Sequence, residues 1–367
     1  MVRKEIPLFR VFMPKSVQRP LMKTLLSGYI GEGPKVQEFE KMLGKWIGNN
    51  KVLTLNSGTS GLHLAYHMCL ENDGDEIIST PMTCSATNTP IVNTKKGKIV
   101  WADVDPVTGS IDPSSIEKKI TKRTKAIVMV HWGGNPCDID AINKIAKKHG
   151  IKTIEDGAHS FGTLYKGKHL VTNTSDFVIH SFQAIKHIST IDGGLLVCKD
   201  KKDYERAKLL RWYGIDRKIK SKDLRCEEDV KEAGYKFHMN DVCATIGIEM
   251  MKYVEGIIKK HRENANFYDQ NLKVECVKEN PKGKSAYWLY TIHIGKGRRD
   301  EFIEYMKENG VMVSKVHSRN DKHSMFKESA TKLPGLDKFY SSMCSIPVGW
   351  WVSKKDRAYI VKLVNSF

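Results

Sequence analysis

Short apolar runs alternate with amphipathic stretches through the first half of the chain. KVLTLNS (51–57), EIIST (76–80), KIVWADV (98–104), AIVMVHW (126–132), IKTIED (151–156) and DFVIHSF (176–182) each have strand length and an apolar centre. Between them lie GLHLAYHMCL (61–70), SSIEKKITK (114–122) and DIDAINKIAKKHG (138–150). The last opens on aspartate, carries apolar residues at helical spacing and stops at glycine. Strands alternating with helices predict an α/β protein with a mainly parallel sheet covered on both faces.

The texture changes near residue 238. NDVCATIGIEMMKYVEGIIKKHRENANFYDQNL reads as one long helix leading into a smaller α+β unit. Strands are expected there near 274–279, 286–294 and 311–317, with a helix near 298–309. A last helix is expected from Ser353, where SKKD matches a capping box with aspartate in the place of Glu or Gln. The division predicted is a large domain over 1–238 and a linking helix with a small domain over 239–367.

Composition narrows the class. A chain of 367 residues, 40% hydrophobic and 28% charged, fits two soluble domains. No run of about 18 apolar residues exists, so no membrane helix is expected. The first residues lack the apolar core and cleavage site of a signal peptide, which points to the cytoplasm or another reducing compartment. The eight cysteines, at 69, 84, 137, 198, 226, 243, 276 and 344, are scattered without a C-x-x-C pair. Neither a zinc site nor a disulfide framework is signalled, and small buried apolar residues are expected. The formal charge of +18 favours anionic ligands. Its lysines are spread out, with no basic arm or nucleic-acid motif, so a solvated basic surface is the reading and nucleic-acid binding is not expected.

Three segments carry candidate chemistry. In NSGTSGLHLA (56–65) a strand ends, small residues turn the chain and a helix begins. Free backbone N–H groups and the helix dipole favour an anion there, and Ser57, Thr59 and Ser60 add hydroxyls; a plain N-capped turn would look similar. In KTIEDGAHSFG (152–162), Asp156 stands at the end of a buried strand, where ligands of open parallel sheets collect. A carboxylate there can pair with a protonated pyridine nitrogen, or simply cap the next turn. His159 follows three residues later, within reach of a ring oxygen, although a lone loop histidine is more often structural. In DFVIHSFQAIKHISTIDGGLLVCKD (176–200), Lys186 lies on a connector between two apolar strands. Burial there lowers an amine's pKa and favours the neutral nucleophile, whereas a lysine on an ordinary loop would reach for solvent.

Taken in order, these segments resemble the DegT/StrS-type sugar aminotransferases of the aspartate-aminotransferase fold. The likeness runs from SGYIGEGPKVQEFE (27–40) through EIISTPMTCSATN (76–88), ADVDP (102–106), EDGAHSFG and SFQAIKHISTIDGG to VHSRND (316–321) and SIPVG (345–349). It implies a seven-stranded α/β/α sandwich binding pyridoxal 5'-phosphate (PLP), a smaller C-terminal α+β domain and a homodimer. It also implies transfer of an amino group from an amino acid, glutamate first, to a nucleotide-linked keto sugar. The family pattern favours a 4-keto-6-deoxy sugar, then a 3-keto sugar. By the resemblance, Lys186 carries the cofactor and shuttles protons, Asp156 pairs with the pyridine nitrogen and His159 contacts the phenolic oxygen. Ser181, Thr59 and Ser60 hold the phosphate, and Tyr29, His317 and Arg319 lie near the sugar nucleotide. Family dehydratases with histidine in place of the lysine are disfavoured because Lys186 is present; a PLP lyase or a regulatory protein of the same fold are the alternatives.

Three departures stand out. Cys84 replaces an aromatic residue that many relatives stack on the cofactor ring. GYKFHMND (234–241) has Lys236 where the family places an asparagine that reaches the neighbouring subunit's phosphate; Lys236 or His238 is expected to take that part. HWGGNPCD (131–138) replaces the commoner H-x-Y-G, with a tight turn expected near the site and an inert Cys137.

Overall fold

A computed structural model describes residues 5–94, 97–170, 175–217, 219, 229–295 and 297–367. Cys226 lies outside the described residues. Helices α1 (Gln18–Leu25) and α2 (Pro34–Ile47) precede a seven-stranded sheet. Its strands are β1 (Val52–Leu55), β2 (Asp75–Ser79), β3 (Gly97–Trp101), β4 (Thr124–Val130), β5 (Lys152–Asp156), β6 (Phe177–Ser181) and β7 (Gly194–Cys198), in the order β1-β7-β6-β5-β4-β2-β3. Every pairing from β3 across to β6 is parallel. Only β7 is reversed, running antiparallel to both β6 and β1.

Parallel strands require crossovers, and helices supply them. α3 (Gly58–Cys69) links β1 to β2, α4 (Ser85–Asn93) links β2 to β3, α5 (Pro113–Lys119) links β3 to β4, and α6 (Ile139–His149) links β4 to β5. α7 (Lys201–Leu210) follows β7. Alternate residues of a strand meet different helices. On β6, Phe177 and Ile179 join the core beneath α3, while Val178 joins Phe39 and Leu43 of α2 on the other face. On β4, Val128 and Val130 face α3, while Ile127 and Met129 meet Ile142 of α6. Both faces of the sheet are therefore buried, which is why its strands read as nearly continuous apolar runs. The α6 signals act as read: the Asp138 carboxylate accepts from Ala141 N–H at 3.3 Å and Gly150 closes the helix at φ 65°.

The expected single long helix after 238 is two, α8 (Asp241–Met251) and α9 (Val254–Asn271). No proline or glycine marks the break. Lys252 and Tyr253 donate to Glu249 and Met250, three residues back rather than four, and this tightened turn redirects the chain. α8 can then pack on α2 through Ala244 and Ile246, while Ala265 and Tyr268 of α9 reach a second core.

That core covers an antiparallel sheet of β8 (Glu275–Cys276), β9 (Tyr290–His293) and β10 (Met343–Ile346), in that order. Helices α10 (Arg299–Glu308), α11 (Pro334–Ser342) and α12 (Lys354–Ser366) complete the fold. The strand expected over 286–294 shrinks to β9 because Tyr287 adopts φ 50°. The strand expected over 311–317 is reduced to single bridges, Ile6 with Val311 and Ser314 with Ser345, because Val316 adopts φ 63°. Strand geometry needs negative φ, so each left-handed residue ends its run. The capping box at Ser353 forms in both directions: Asp356 N–H bonds Ser353 Oγ and Ser353 N–H bonds Asp356 Oδ2, each at 3.1 Å.

Candidate active site

The carboxyl ends of β1, β5 and β6 bring the three motif segments to one edge of the sheet. Asn56 and Ser57 leave β1 and α3 begins at once, with Ser57 Oγ accepting from Ser60 N–H at 3.0 Å. The remaining first-turn N–H groups of α3 have no helical partner. A Cβ placed on Gly58 would meet the Ser181 Cβ at 3.0 Å, so the α3 N-terminus abuts the end of β6. This juxtaposition makes a small-residue cradle from Gly58, Thr59, Ser60 and Ser181. Thr59 is exposed on its rim, and the buried Ser60 donates its hydroxyl to Asn56 Oδ1 at 2.6 Å.

Asp156 ends β5 and is buried. Its Oδ2 accepts from Thr87 Oγ1 at 2.7 Å and its Oδ1 from Ala158 N–H at 3.0 Å. The Thr87 hydroxyl lies 2.7 Å from that of Thr83 in turn. Sequence reading missed Thr87, although it stands one helical turn after Cys84 inside a motif segment.

Lys186 sits on the connector from β6 to β7, closed by bonds from Phe182 N–H to Gly193 O and from Thr190 N–H to Phe182 O. Its Nζ lies 3.4 Å from the ring centroid of Trp288. Burial lowers its pKa to about 7, against the opposite pull of Asp156 and Cys84. The Trp288 ring also stacks on His159 at 3.9 Å, and His159 lies parallel to His317 at 5.8 Å, with Trp132 edge-on to both. Burial, followed by the Lys186 charge, pushes His159 well below its ordinary pKa and His317 down to about 4. Both rings are thus neutral at pH 7. His159 Nδ1 and His317 Nε2 are buried without a hydrogen-bond partner among the described residues.

The structure thus gathers Lys186, Asp156, Cys84, His159 and His317 into one cluster and adds Trp132, from the 131–138 turn, and Trp288, for which no local sequence signal exists. The 131–138 turn is as tight as read, with Gly133 at φ 63° and Gly134 at φ 101°. A Cβ on Gly134 would come within 3.0 Å of the His159 carbonyl oxygen, so this turn packs closely against the backbone that carries His159. Cys137 is buried with its Sγ 3.2 Å from Val130 O.

The other expected residues are held by contacts of their own. Tyr29 is exposed, its ring laid against Gly33. Arg319 turns its guanidinium to Asp321, at 2.8 Å through two nitrogens, and to Asp337. Lys236 is exposed, but its carbonyl accepts from Asn56 Nδ2 at 3.2 Å, beside the cradle of its own chain. The His238 ring tilts onto Trp212 at 3.7 Å; burial, with Arg211 next, lowers its pKa to about 4.

Residues 14–365 match the model of the DegT/DnrJ/EryC1/StrS aminotransferase family. The fold superposes on AtS13 from Actinomadura melliaura with a TM-score of 0.95, at 39% identity, covering 100% of each chain. It superposes on the sugar aminotransferase CalS13 from Micromonospora echinospora with a TM-score of 0.94, at 35% identity, covering 98% of this chain and 99% of that one. Spore coat polysaccharide biosynthesis protein SpsC of Bacillus subtilis is 30% identical over 362 residues, 94% of this chain and 92% of SpsC.

Proposed function

The chain belongs to the DegT/DnrJ/EryC1/StrS aminotransferase family, and from that premise we propose that it moves an amino group from glutamate to a nucleotide-linked keto sugar, with Lys186 carrying the cofactor. It is a sugar aminotransferase of amino-sugar biosynthesis, and its cofactor is PLP. A 4-keto-6-deoxy sugar is the first expectation and a 3-keto sugar the second.

The residues present fit PLP. A helix N-terminus abutting Ser181 suits a phosphate. A buried carboxylate with two fixed donors suits a protonated pyridine nitrogen. Two buried ring nitrogens without partners suit oxygens of the cofactor and the sugar. In this reading Thr59, Ser60 and Ser181 hold the phosphate, Asp156 takes the pyridine nitrogen, His159 meets the phenolic oxygen and Cys84 lies against the ring. Lys236 of the partner subunit reaches the phosphate across a homodimer interface.

PLP, when bound, supplies the electron sink that acidifies the carbon exchanging its amino group. The chain's own part is proton handling and placement. The Lys186 amine, held near neutrality by burial, gives and takes a proton at physiological pH as general base and acid. Thr87 and Ala158 N–H orient the Asp156 carboxylate. The neutral His159 and His317 leave Lys186 as the proton carrier of the cluster. Tyr29 and His317 are the proposed sugar-nucleotide contacts. Arg319, taken up by Asp321 and Asp337, braces the segment that carries His317.

The net charge of +18 suits a doubly charged substrate. No helix among the described residues is long and apolar enough to cross a membrane, and the seven described cysteines are all free, which suits the cytoplasm. The observation that carries the proposal is the half-buried Lys186, its amine set 3.4 Å from the centre of the Trp288 ring and within electrostatic reach of Asp156. The test is a panel of nucleotide keto sugars with glutamate, followed by mass spectrometry. Amino sugar and 2-oxoglutarate must appear in equal amounts, and neither with Lys186→Ala. A deoxygenated sugar without oxo acid would instead indicate a dehydratase.

A further inference from the structure

The residues on either side of Lys186 are both tied to one short segment far along the chain. The Trp288 indole N–H donates to Ile185 O at 2.9 Å, and the His187 Nε2–H donates to Ala286 O at 3.0 Å. A third bond backs this pair: the His261 Nδ1–H on α9 donates to Tyr287 O at 2.8 Å. Burial pushes both His187 and His261 below their ordinary pKa, so each is neutral and spends its one N–H on a carbonyl.

Between Ala286 and Trp288 sits Tyr287, its own carbonyl tied, at φ 50°. A bulky residue in the left-handed region persists only where its surroundings hold it. Here three hydrogen bonds hold it, and the chain turns so that the indole comes back against the Lys186 connector. The indole is wedged as well, with Phe9 at 4.9 Å and His159 at 3.9 Å, both stacked. Ordinary core packing explains the wedge. It does not explain an indole N–H spent on the peptide next to the lysine, nor an amine nitrogen 3.4 Å from the centre of that ring.

We propose that Trp288 is a positioning residue for Lys186: its N–H fixes the peptide before the lysine, and its ring face is the berth of the lysine amine whenever that amine is free of the cofactor. The inference rests on the reading of Lys186 as the cofactor lysine. The negative face of an indole favours an ammonium over a neutral amine, so the berth offsets part of the burial effect. It also keeps the amine from leaving the site during the half of the cycle in which it carries protons.

The test follows cofactor association rather than turnover. Apoprotein of the full chain is mixed with PLP from pH 5.5 to 9, and the rate at which bound-cofactor absorbance appears is recorded. In the unaltered protein the rate rises with a midpoint near 7, where the free amine titrates. Trp288→Leu, which has neither ring nor N–H, is expected to lower that midpoint by about half a pH unit or more. Trp288→Phe, which keeps a ring without the N–H, is expected to hold the midpoint but slow association about threefold. An unchanged or raised midpoint in Trp288→Leu, or a lowered one in Trp288→Phe, overturns the berth. An unslowed Trp288→Phe overturns the role of the N–H. If Trp288→Leu does not fold, Trp288→Met, which also lacks ring and N–H, takes its place, and the same lowering of the midpoint is expected of it. Lys186→Ala is the control: should it acquire the same absorbance, the assignment of the lysine has failed, whatever Trp288 does.

Discussion

Thr87 donates its hydroxyl hydrogen to the carboxylate of Asp156 across 2.7 Å, both groups buried at the end of β5. With the Ala158 N–H on the other oxygen, this bond fixes the plane of the carboxylate. Thr87→Val keeps the shape and removes the donor. A hydrogen bond to a charged group contributes about 1.5–3 kcal/mol, so PLP affinity is expected to fall about tenfold or more. Titration of the apoprotein with PLP measures it, and an unchanged Kd would mean that the carboxylate needs no such guide.

The cradle at the start of α3 has room for an anion because Gly58 has no side chain. Its Cβ position is 3.0 Å from the Ser181 Cβ, tighter than ordinary packing. Gly58→Val is expected to fill the gap and weaken PLP binding at least tenfold, the scale of losing one charge-assisted phosphate contact. Pyridoxal, which has no phosphate, is expected to bind the variant and the unaltered protein alike. Equal losses for both would place the damage elsewhere.

Lys186 makes stability depend on pH with a definite sign. Its amine titrates near 7 when folded and near 10.4 when unfolded. Between those values the unfolded chain binds the extra proton, so stability rises with pH across that window. Below about 7 both states are protonated and the cost of the buried ammonium is carried in full. Compared with Lys186→Met, the apoprotein is expected to gain up to about 1.4 kcal/mol per pH unit from 7.5 to 9.5 in denaturant unfolding. A parallel pair of curves would show an amine that titrates normally.

Asp241 caps α2 from some 200 positions away. Its Oδ1 accepts from Gly33 and Val36 N–H at 2.9 and 3.0 Å, and its Oδ2 from Lys35 N–H at 3.1 Å. Asp241→Ala removes a cap and strands buried donors, for an expected loss of about 2–3 kcal/mol in urea unfolding. Tyr29 lies just before the capped turn, so KM for the sugar nucleotide is expected to rise more than kcat falls. Asp241→Asn, which keeps one acceptor, is expected to recover part of both.

Chemistry that sits within a few residues of itself was legible in the sequence. The strand–turn–helix at 52–69, the aspartate at the end of β5 and the lysine between two buried strands each follow local rules of period and capping. The box at Ser353 did too. What escaped was decided by distant partners. Trp288 is one aromatic among many until Ile185 and Lys186 are folded against it. The break between α8 and α9 answers to two different cores, and no breaker residue announces it. The left-handed Tyr287 and Val316 cut short two strands that their apolar neighbours predict. Arg319 illustrates the same limit for the site: its ion pair with Asp337 on α11 is a distant contact that no local pattern announces.

The ties around Lys186 also have a direction in time. Ile185 and His187 are joined to residues 103 and 99 positions further on. At about 5–20 residues per second, a ribosome that has just made the lysine needs roughly 5–20 s more before it makes their partners. During that interval the nascent chain carries a complete lysine connector with no wall behind it. The ties that hold the two neighbours of the lysine are therefore completed only once residue 288 has been made.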